Sequence, residues 1–180
     1  MSSVRLWTFQ DQSVADQLMA GHIHCGDWER TPENWRLAYR WMASSLKEIA
    51  PELGEHAPIW CWHSCHGTLN QPPTVGTAAY LLSESDFERG LAVLELAIPA
   101  DTMLLSSYYA WNRFLDAVIT KKRLPRSPRR AGWMFEEPLL RHADDDIQAV
   151  IPLIRPSWLV RSTPLIIDGR DYNEPLFPVD

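Results

Sequence analysis

Strand patterns and helix patterns follow one another here without regular βαβ alternation, and that order predicts an α+β domain. Three stretches carry the prediction. Val4 to Gln10 alternates, with Val4, Leu6, Thr8 and Gln10 on one face and Arg5, Trp7 and Phe9 on the other. Leu91 to Ile98 is the clearest strand and stops at Pro99. Ile147 to Ile154 is a third, with Pro152 marking an edge or a bulge. At 180 residues, one domain spanning the chain is expected, large enough to bury a core.

The remaining elements follow from local signals. Asp11 or Ser13 would cap a first helix with Val14, Leu18 and Met19 on its apolar side, and Gly21 stands where a helix-ending glycine belongs. His22 to Arg30 reads as polar and irregular. Thr31 and Pro32 announce a second helix, in which Trp35, Ala38, Tyr39, Trp41, Met42, Leu46 and Ile49 recur at helical spacing. Pro51 and Gly54 close it. Pro58 to His63 is a strand, Gly67 to Thr77 a loop, and Ala78 to Leu82 a short strand. Asp86 to Gly90 is a turn or a short helical piece, and Met103 to Leu105 a short strand or extended link. Ser107 would cap a helix with Tyr108, Trp111, Leu115, Val118 and Ile119 on one side. An irregular tail is expected from about Asp168.

Composition removes several function classes. Hydrophobic residues make up 46% and charged residues 22%, as in ordinary globular chains. No apolar run approaches the roughly eighteen residues of a membrane span, so no membrane partner is expected. MSSVRLWTFQ lacks a basic region followed by an apolar one, so no secretory signal and a cytoplasmic location are expected. Three cysteines without an export signal argue against a disulfide framework. The net charge of −6 opposes nucleic-acid binding by the whole surface. Yet Lys121 to Arg130, KKRLPRSPRR, holds six positive charges and no negative one. It is either a solvated loop or a phosphate contact through Lys121, Lys122, Arg123, Arg126, Arg129 and Arg130.

Motif chemistry is sparse. HIHC and CWHSCH gather His22, His24, Cys25, Cys61, His63, Cys65 and His66, but without zinc-finger spacing, so buried thiols and loop histidines are expected rather than a metal site. A Cys65–histidine nucleophile is a second reading of the same run. Phosphate-loop, dinucleotide-loop, serine-hydrolase and metalloprotease motifs are all missing from the sequence. Nine tryptophans are many for this length, and most belong in the core. Trp60 and Trp62, alternating on one strand face, could stack a planar base.

Several phrases together carry a resemblance: LWTFQ at the start, AYRWM from Ala38 to Met42, PIWCW from Pro58 to Trp62, then VLELAIPADTMLLSSYYAWN and DIQAVIPLIRPSWLV. They resemble the bacterial family known as domain of unknown function 3841, over most of the chain up to about Val160. More distantly the order is similar to small ADP-ribosyltransferases that modify nucleic acids and to the related RNA 2′-phosphotransferases. That likeness implies a twisted mixed or split antiparallel sheet with flanking helices, and NAD as the substrate. Thr8 or Gln10 would hold NAD from the first strand. Ser106 and Asn112 would sit beside it, and Tyr39 or Trp62 would stack on nicotinamide. Gln148 falls near the place of the catalytic Glu, so Gln148 and Asn112 are the candidate catalytic groups. A Gln cannot act as a general base, although it can hydrogen-bond a ribose hydroxyl. The acceptor would be RNA or DNA, the basic loop its contact, and the setting toxin action or phage defence with an antitoxin or partner protein. The competing reading is a non-catalytic binding module of the same fold. Convergence of Thr8, Gln10, Ser106 and Gln148 on one pocket would separate the two.

Overall fold

The computed structural model describes residues 3–66, 68–124 and 146–177. Its strands are β1 (Ser3–Asp11), β2 (His24–Cys25), β3 (Ile59–Ser64), β4 (Leu91–Pro99), β5 (Leu104–Ser107), β6 (Ile147–Ile151), β7 (Leu153–Ile154) and β8 (Leu159–Pro164). Its helices are α1 (Gln12–Met19), α2 (Arg36–Lys47), α3 (Val75–Leu81), α4 (Glu84–Glu88) and α5 (Tyr108–Lys121). Among the described residues, six strands form one open sheet in the order β5-β6-β3-β1-β4-β8, and β2 pairs with β7 in a separate ribbon. Every pairing is antiparallel. The expected α+β class with an antiparallel sheet and flanking helices is what the chain adopts.

Both faces of the sheet are covered, which explains why its central strands read as near-continuous apolar runs. On one face Leu6, Leu94, Leu96, Ile98 and Cys61 pack against Val14, Ala15 and Leu18 of α1. On the other, α2 and α5 lie over Trp60 and Val150, while α3 and the chain's end lie over Trp7, Trp62 and Val93. Burying each such Leu or Val contributes about 1.5–3 kcal/mol relative to exposure.

Local departures have physical causes. Ala78 to Leu82 is not a strand: α3 starts at Val75 because Thr74 and Thr77 form a reciprocal capping box. Asp11 precedes α1 without a side-chain cap bond, since its carboxylate is engaged by Arg30. Met19 and Ile49, placed on apolar faces by spacing, stand exposed at helix ends. The second helix begins as a 3-10 turn at Glu33–Trp35 and becomes α only at Arg36. Ile147 to Ile154 is two strands, not one. Pro152 breaks the run, so β6 stays inside the sheet while β7 leaves to pair with β2. β8 was not anticipated, nor was the order of the chain's end. Backbone bonds from Val75 to Glu174 and from Gly76 to Tyr172 tie that segment to α3, with Leu176 and Phe177 in the core.

Candidate ligand pocket at the parting of two strands

β1 and β3 share a single register pair, Trp7 with Trp62. Continuing that register would set Phe9 opposite Trp60 and Gln10 opposite Ile59. Instead the strands part there, and a pocket of about 310 Å³ opens, lined by those four residues among others. The gap is bridged by a side chain: Thr8 donates its hydroxyl to the Trp60 carbonyl at 2.8 Å, and Gln10 Nε2 donates to Thr8 Oγ1 at 2.9 Å. This volume is at the lower end for small-molecule sites.

One wall is aromatic. Trp35 and Tyr39 have ring centroids 6.0 Å apart, and Tyr39 and Trp60 5.1 Å. Behind them, outside the pocket, Trp111 lies 4.6 Å from Trp60 and 5.7 Å from Tyr39. The Trp60 indole N–H is buried and meets no acceptor among the described residues.

The opposite wall comes from the segment between α1 and α2. Gly26 bridges to Ala57 so closely that an added Cβ would lie 2.3 Å from the Ala57 carbonyl oxygen, so glycine alone permits the approach. Asp27 then accepts from the Glu29 N–H at 2.9 Å and turns the chain to present Arg30. Arg30 Nη2 is fixed on Asp11 Oδ1 at 2.9 Å, and its fork retains further donors. His24, half-buried on this wall, has its pKa lowered by burial and then by Arg30, against an opposing pull from Asp11. Burial, with Tyr108 nearby, pushes the Tyr39 hydroxyl up, so Tyr39 stays a neutral donor at neutral pH.

Of the residues singled out in the sequence, Gln10, His24, Tyr39 and Trp60 line this pocket. Thr8, Trp62, Ser106, Asn112 and Gln148 do not. Trp62, Gln148 and Ser106 are successive register partners across β3, β6 and β5 and share the face that carries Trp7. Thr8 and Gln10 alternate to the opposite face with Leu6. The four polar candidates therefore do not converge. Gln148 is buried and donates to Ser106 Oγ at 3.1 Å. Asn112 bonds the Tyr108 hydroxyl, and Tyr108 stands edge-on to Trp62 at 5.0 Å. Lys121, Lys122 and Arg123 are exposed at the end of α5, while Arg126, Arg129 and Arg130 lie outside the described residues. Sequence reasoning overlooked His24 as a pocket residue, and Arg30 and Trp35 altogether as polar or aromatic walls. A cation following an Asp-capped turn was the available signal for Arg30.

In the Cys/His run, Cys61 and Cys65 are buried, as the first of its two readings expected of its thiols. Among the described residues, no three His, Cys, Asp or Glu side chains come together as a metal site. Burial raises the Cys61 thiol to about 12, and burial with Asp146 nearby raises Cys65 as well, so both stay thiols rather than nucleophilic thiolates. No described helix is long and apolar enough to cross a membrane.

The two half-buried histidines give a pH prediction. His24 and His63 are both lowered from 6.5, chiefly by burial, so the unfolded chain binds protons more readily than the folded one. Their contribution is full above pH 6.5 and is lost as pH falls through that value towards the folded pKa. Asp86 and Glu174 are lowered from 3.8 and 4.5, so what they contribute is lost only in more acid solution. Melting temperature should therefore fall between pH 7.5 and 5.5, and fall less in the His24→Gln, His63→Gln double variant. Equal losses in both proteins would refute this assignment.

An antiparallel α+β sheet parted over an aromatic pocket is thus the kind of protein defined here. The family described as Domain of unknown function (DUF3841) matches residues 5–123, and the chain belongs to that family. No curated protein and no solved structure matches the chain.

Proposed function

We propose that the pocket between β1 and β3 binds NAD, as the likeness to ADP-ribosyltransferases implies. The observation that carries the reading is the coincidence of pocket and strand parting: Phe9, Gln10, Ile59 and Trp60 line the space where sheet pairing stops. A split sheet holding nicotinamide is what that likeness leads one to expect. The chemistry of the walls suits such a ligand. Trp35, Tyr39 and Trp60 offer ring faces to a planar base. Arg30 offers charge-assisted bonds to a diphosphate.

Transfer of ADP-ribose to a nucleic acid is the finer part of the proposal, and its catalytic group is open. Gln148 and Asn112 lie away from the pocket, and Gln148 is committed to Ser106. Binding without chemistry is the second reading, favoured by the failure of the four polar candidates to converge.

Calorimetry with NAD tests the binding step. Wild type should bind saturably. Arg30→Gln and Trp35→Ala should each weaken binding about tenfold, equivalent to about 1.4 kcal/mol. Gln148→Ala should leave it unchanged. Absence of wild-type binding would sink the proposal, and loss confined to Gln148→Ala would move the ligand out of this pocket to the neighbourhood of Gln148 and Ser106. Nicotinamide release that requires added RNA or DNA would separate enzyme from binding module.

A further inference from the structure

The pocket proposed for NAD has a neighbour that shares none of its lining residues. This second space, of about 200 Å³, is lined by Trp28, Arg40, Ser44, Lys47, Glu55 and His56 among others. Chain neighbours divide between the two: Tyr39 lines the first and Arg40 the second, Ala57 the first and His56 the second. Arg40, Ser44 and Lys47 recur at steps of four and three, so they occupy one side of α2. The 3-10 turn Trp28–Arg30 supplies Trp28, whose indole N–H donates to the Glu55 carbonyl at 2.8 Å and joins two walls. The Arg40 guanidinium lies 4.7 Å over the centre of the Trp28 ring. That stacking holds the guanidinium in place without using its N–H donors. The Arg40 side chain meets no carboxylate and makes no hydrogen bond among the described residues.

We propose that this second pocket holds the phosphoryl group of a small phosphomonoester, with Arg40 as its principal donor. A guanidinium fork takes two oxygens at once. The Lys47 ammonium takes a third, as it takes the Glu55 carboxylate at 3.1 Å. The Glu55 side chain is 95% exposed, so water competes for it and an incoming oxyanion replaces it. Ser44 spends its hydroxyl on the Arg40 carbonyl, which leaves room between the two cations rather than a further donor. The His56 ring has no partner among the described residues and lines the same space. A planar carboxylate has only two oxygens for this set. A phosphomonoester has three terminal oxygens and about 1.5 to 2 negative charges at neutral pH. Lys47 stands in the last turn of α2, where it also answers the negative end of the helix, so Arg40 leads. This inference stands apart from the NAD reading, because none of these residues lines that pocket.

The test is calorimetry of the full chain with inorganic phosphate and with glycerol 3-phosphate, near neutral pH in chloride at constant ionic strength. Both should bind saturably, and acetate about tenfold more weakly than either. Arg40→Gln should weaken phosphate binding about tenfold. Arg40→Lys should fall between wild type and Arg40→Gln, since it restores the charge without the fork. Glu55→Gln should tighten binding about threefold by releasing Lys47, a gain that a merely structural ion pair would not give. Arg30→Gln should leave phosphate binding unchanged, which keeps this result separate from the fate of the NAD reading. Arg40 and Glu55 are exposed, and unchanged melting curves will show that the variants fold. Wild type that binds neither phosphate compound, or binds acetate equally well, overturns the proposal. Loss in Arg30→Gln but not in Arg40→Gln also overturns it, and places the anion in the pocket between β1 and β3. Binding untouched by both Arg40→Gln and Glu55→Gln overturns it as well.

Discussion

Trp111→Ala is expected to destabilise the protein by about 3–5 kcal/mol, the range for removing a buried large aromatic. Trp111 is 3% exposed on the inner side of α5. Its ring meets Trp60 at 4.6 Å, Tyr39 at 5.7 Å and Phe114 at 5.7 Å. Small domains have only about 5–15 kcal/mol in total, so the loss is a large share of the whole. The void would open under two rings of the pocket wall. Helix–sheet packing there sets Tyr39 and Phe114 of the helices with Trp60 of the sheet around the Trp111 ring. A second consequence separates this position from any other core site. Tyr39 and Trp60 would lose the surface that fixes their tilt, so NAD binding by the folded fraction should weaken as well. Trp111→Phe keeps part of that support and should show a smaller loss in both measurements. Urea unfolding reads the first effect and calorimetry below the transition reads the second. A stability loss under 1 kcal/mol would mean that α5 repacks, and normal NAD affinity in a destabilised Trp111→Ala would detach the aromatic stack from the ligand.

The limits of reading this chain from sequence follow from what each signal reports. Period-two alternation in Val4 to Gln10 marks an extended strand and the apolar run from Leu91 to Ile98 a strand buried on both faces, and both became central strands. The same signals are silent on pairing. Nothing in WTFQ or PIWCW says that β1 and β3 keep one pair and then separate, because parting depends on how two distant strands twist across each other. Face assignment was already implicit. Thr8 and Gln10 alternate with Trp7, so their separation from Gln148 follows once the Trp7–Trp62–Gln148 register is known. The resemblance supplied residue types but no register, and it placed all four polar candidates together. Arg30 and His24 escaped because an irregular segment carries no periodicity. Their position depends on the Gly26–Ala57 bridge and on β2 pairing with β7, both long-range. Ala78 to Leu82 misled for the opposite reason. Its apolar run is too short to distinguish strand from helix, and the deciding signal, Thr74 with Thr77, lies upstream of it.

Glu95→Ala is the second large effect expected, at about 2–3 kcal/mol. Glu95 stands in mid-β4, 6% exposed, with Trp7 as its register partner on β1 and Arg161 as its partner on β8. A lone carboxylate there would be strongly unfavourable. It is tolerated because two guanidinium groups answer it: Arg5 Nη1 at 2.8 Å on Oε1, and Arg161 Nε on Oε2. Breaking a buried pair typically costs 3–5 kcal/mol, but the side chains of Arg5 and Arg161 are 46% and 36% exposed. Water can take over part of their solvation, which sets the lower figure. Arg161 also lies 4.5 Å over the Phe177 ring, so the carboxylate holds the cation that holds the chain's end. Loss of Glu95 should therefore loosen residues 168–177 before the sheet itself melts. Glu95→Gln preserves volume and one hydrogen bond, and should fall between wild type and Ala. In a double-mutant cycle the Glu95–Arg161 coupling should exceed the Glu95–Arg5 coupling, because Arg5 is the more exposed partner. Limited proteolysis should cut the C-terminal segment faster in Glu95→Ala than in wild type under native conditions. If urea unfolding shows less than 0.5 kcal/mol of loss, or the segment is cut no faster, the triad is a surface ion pair in effect, and Leu176 and Phe177 hold the chain's end through apolar packing alone.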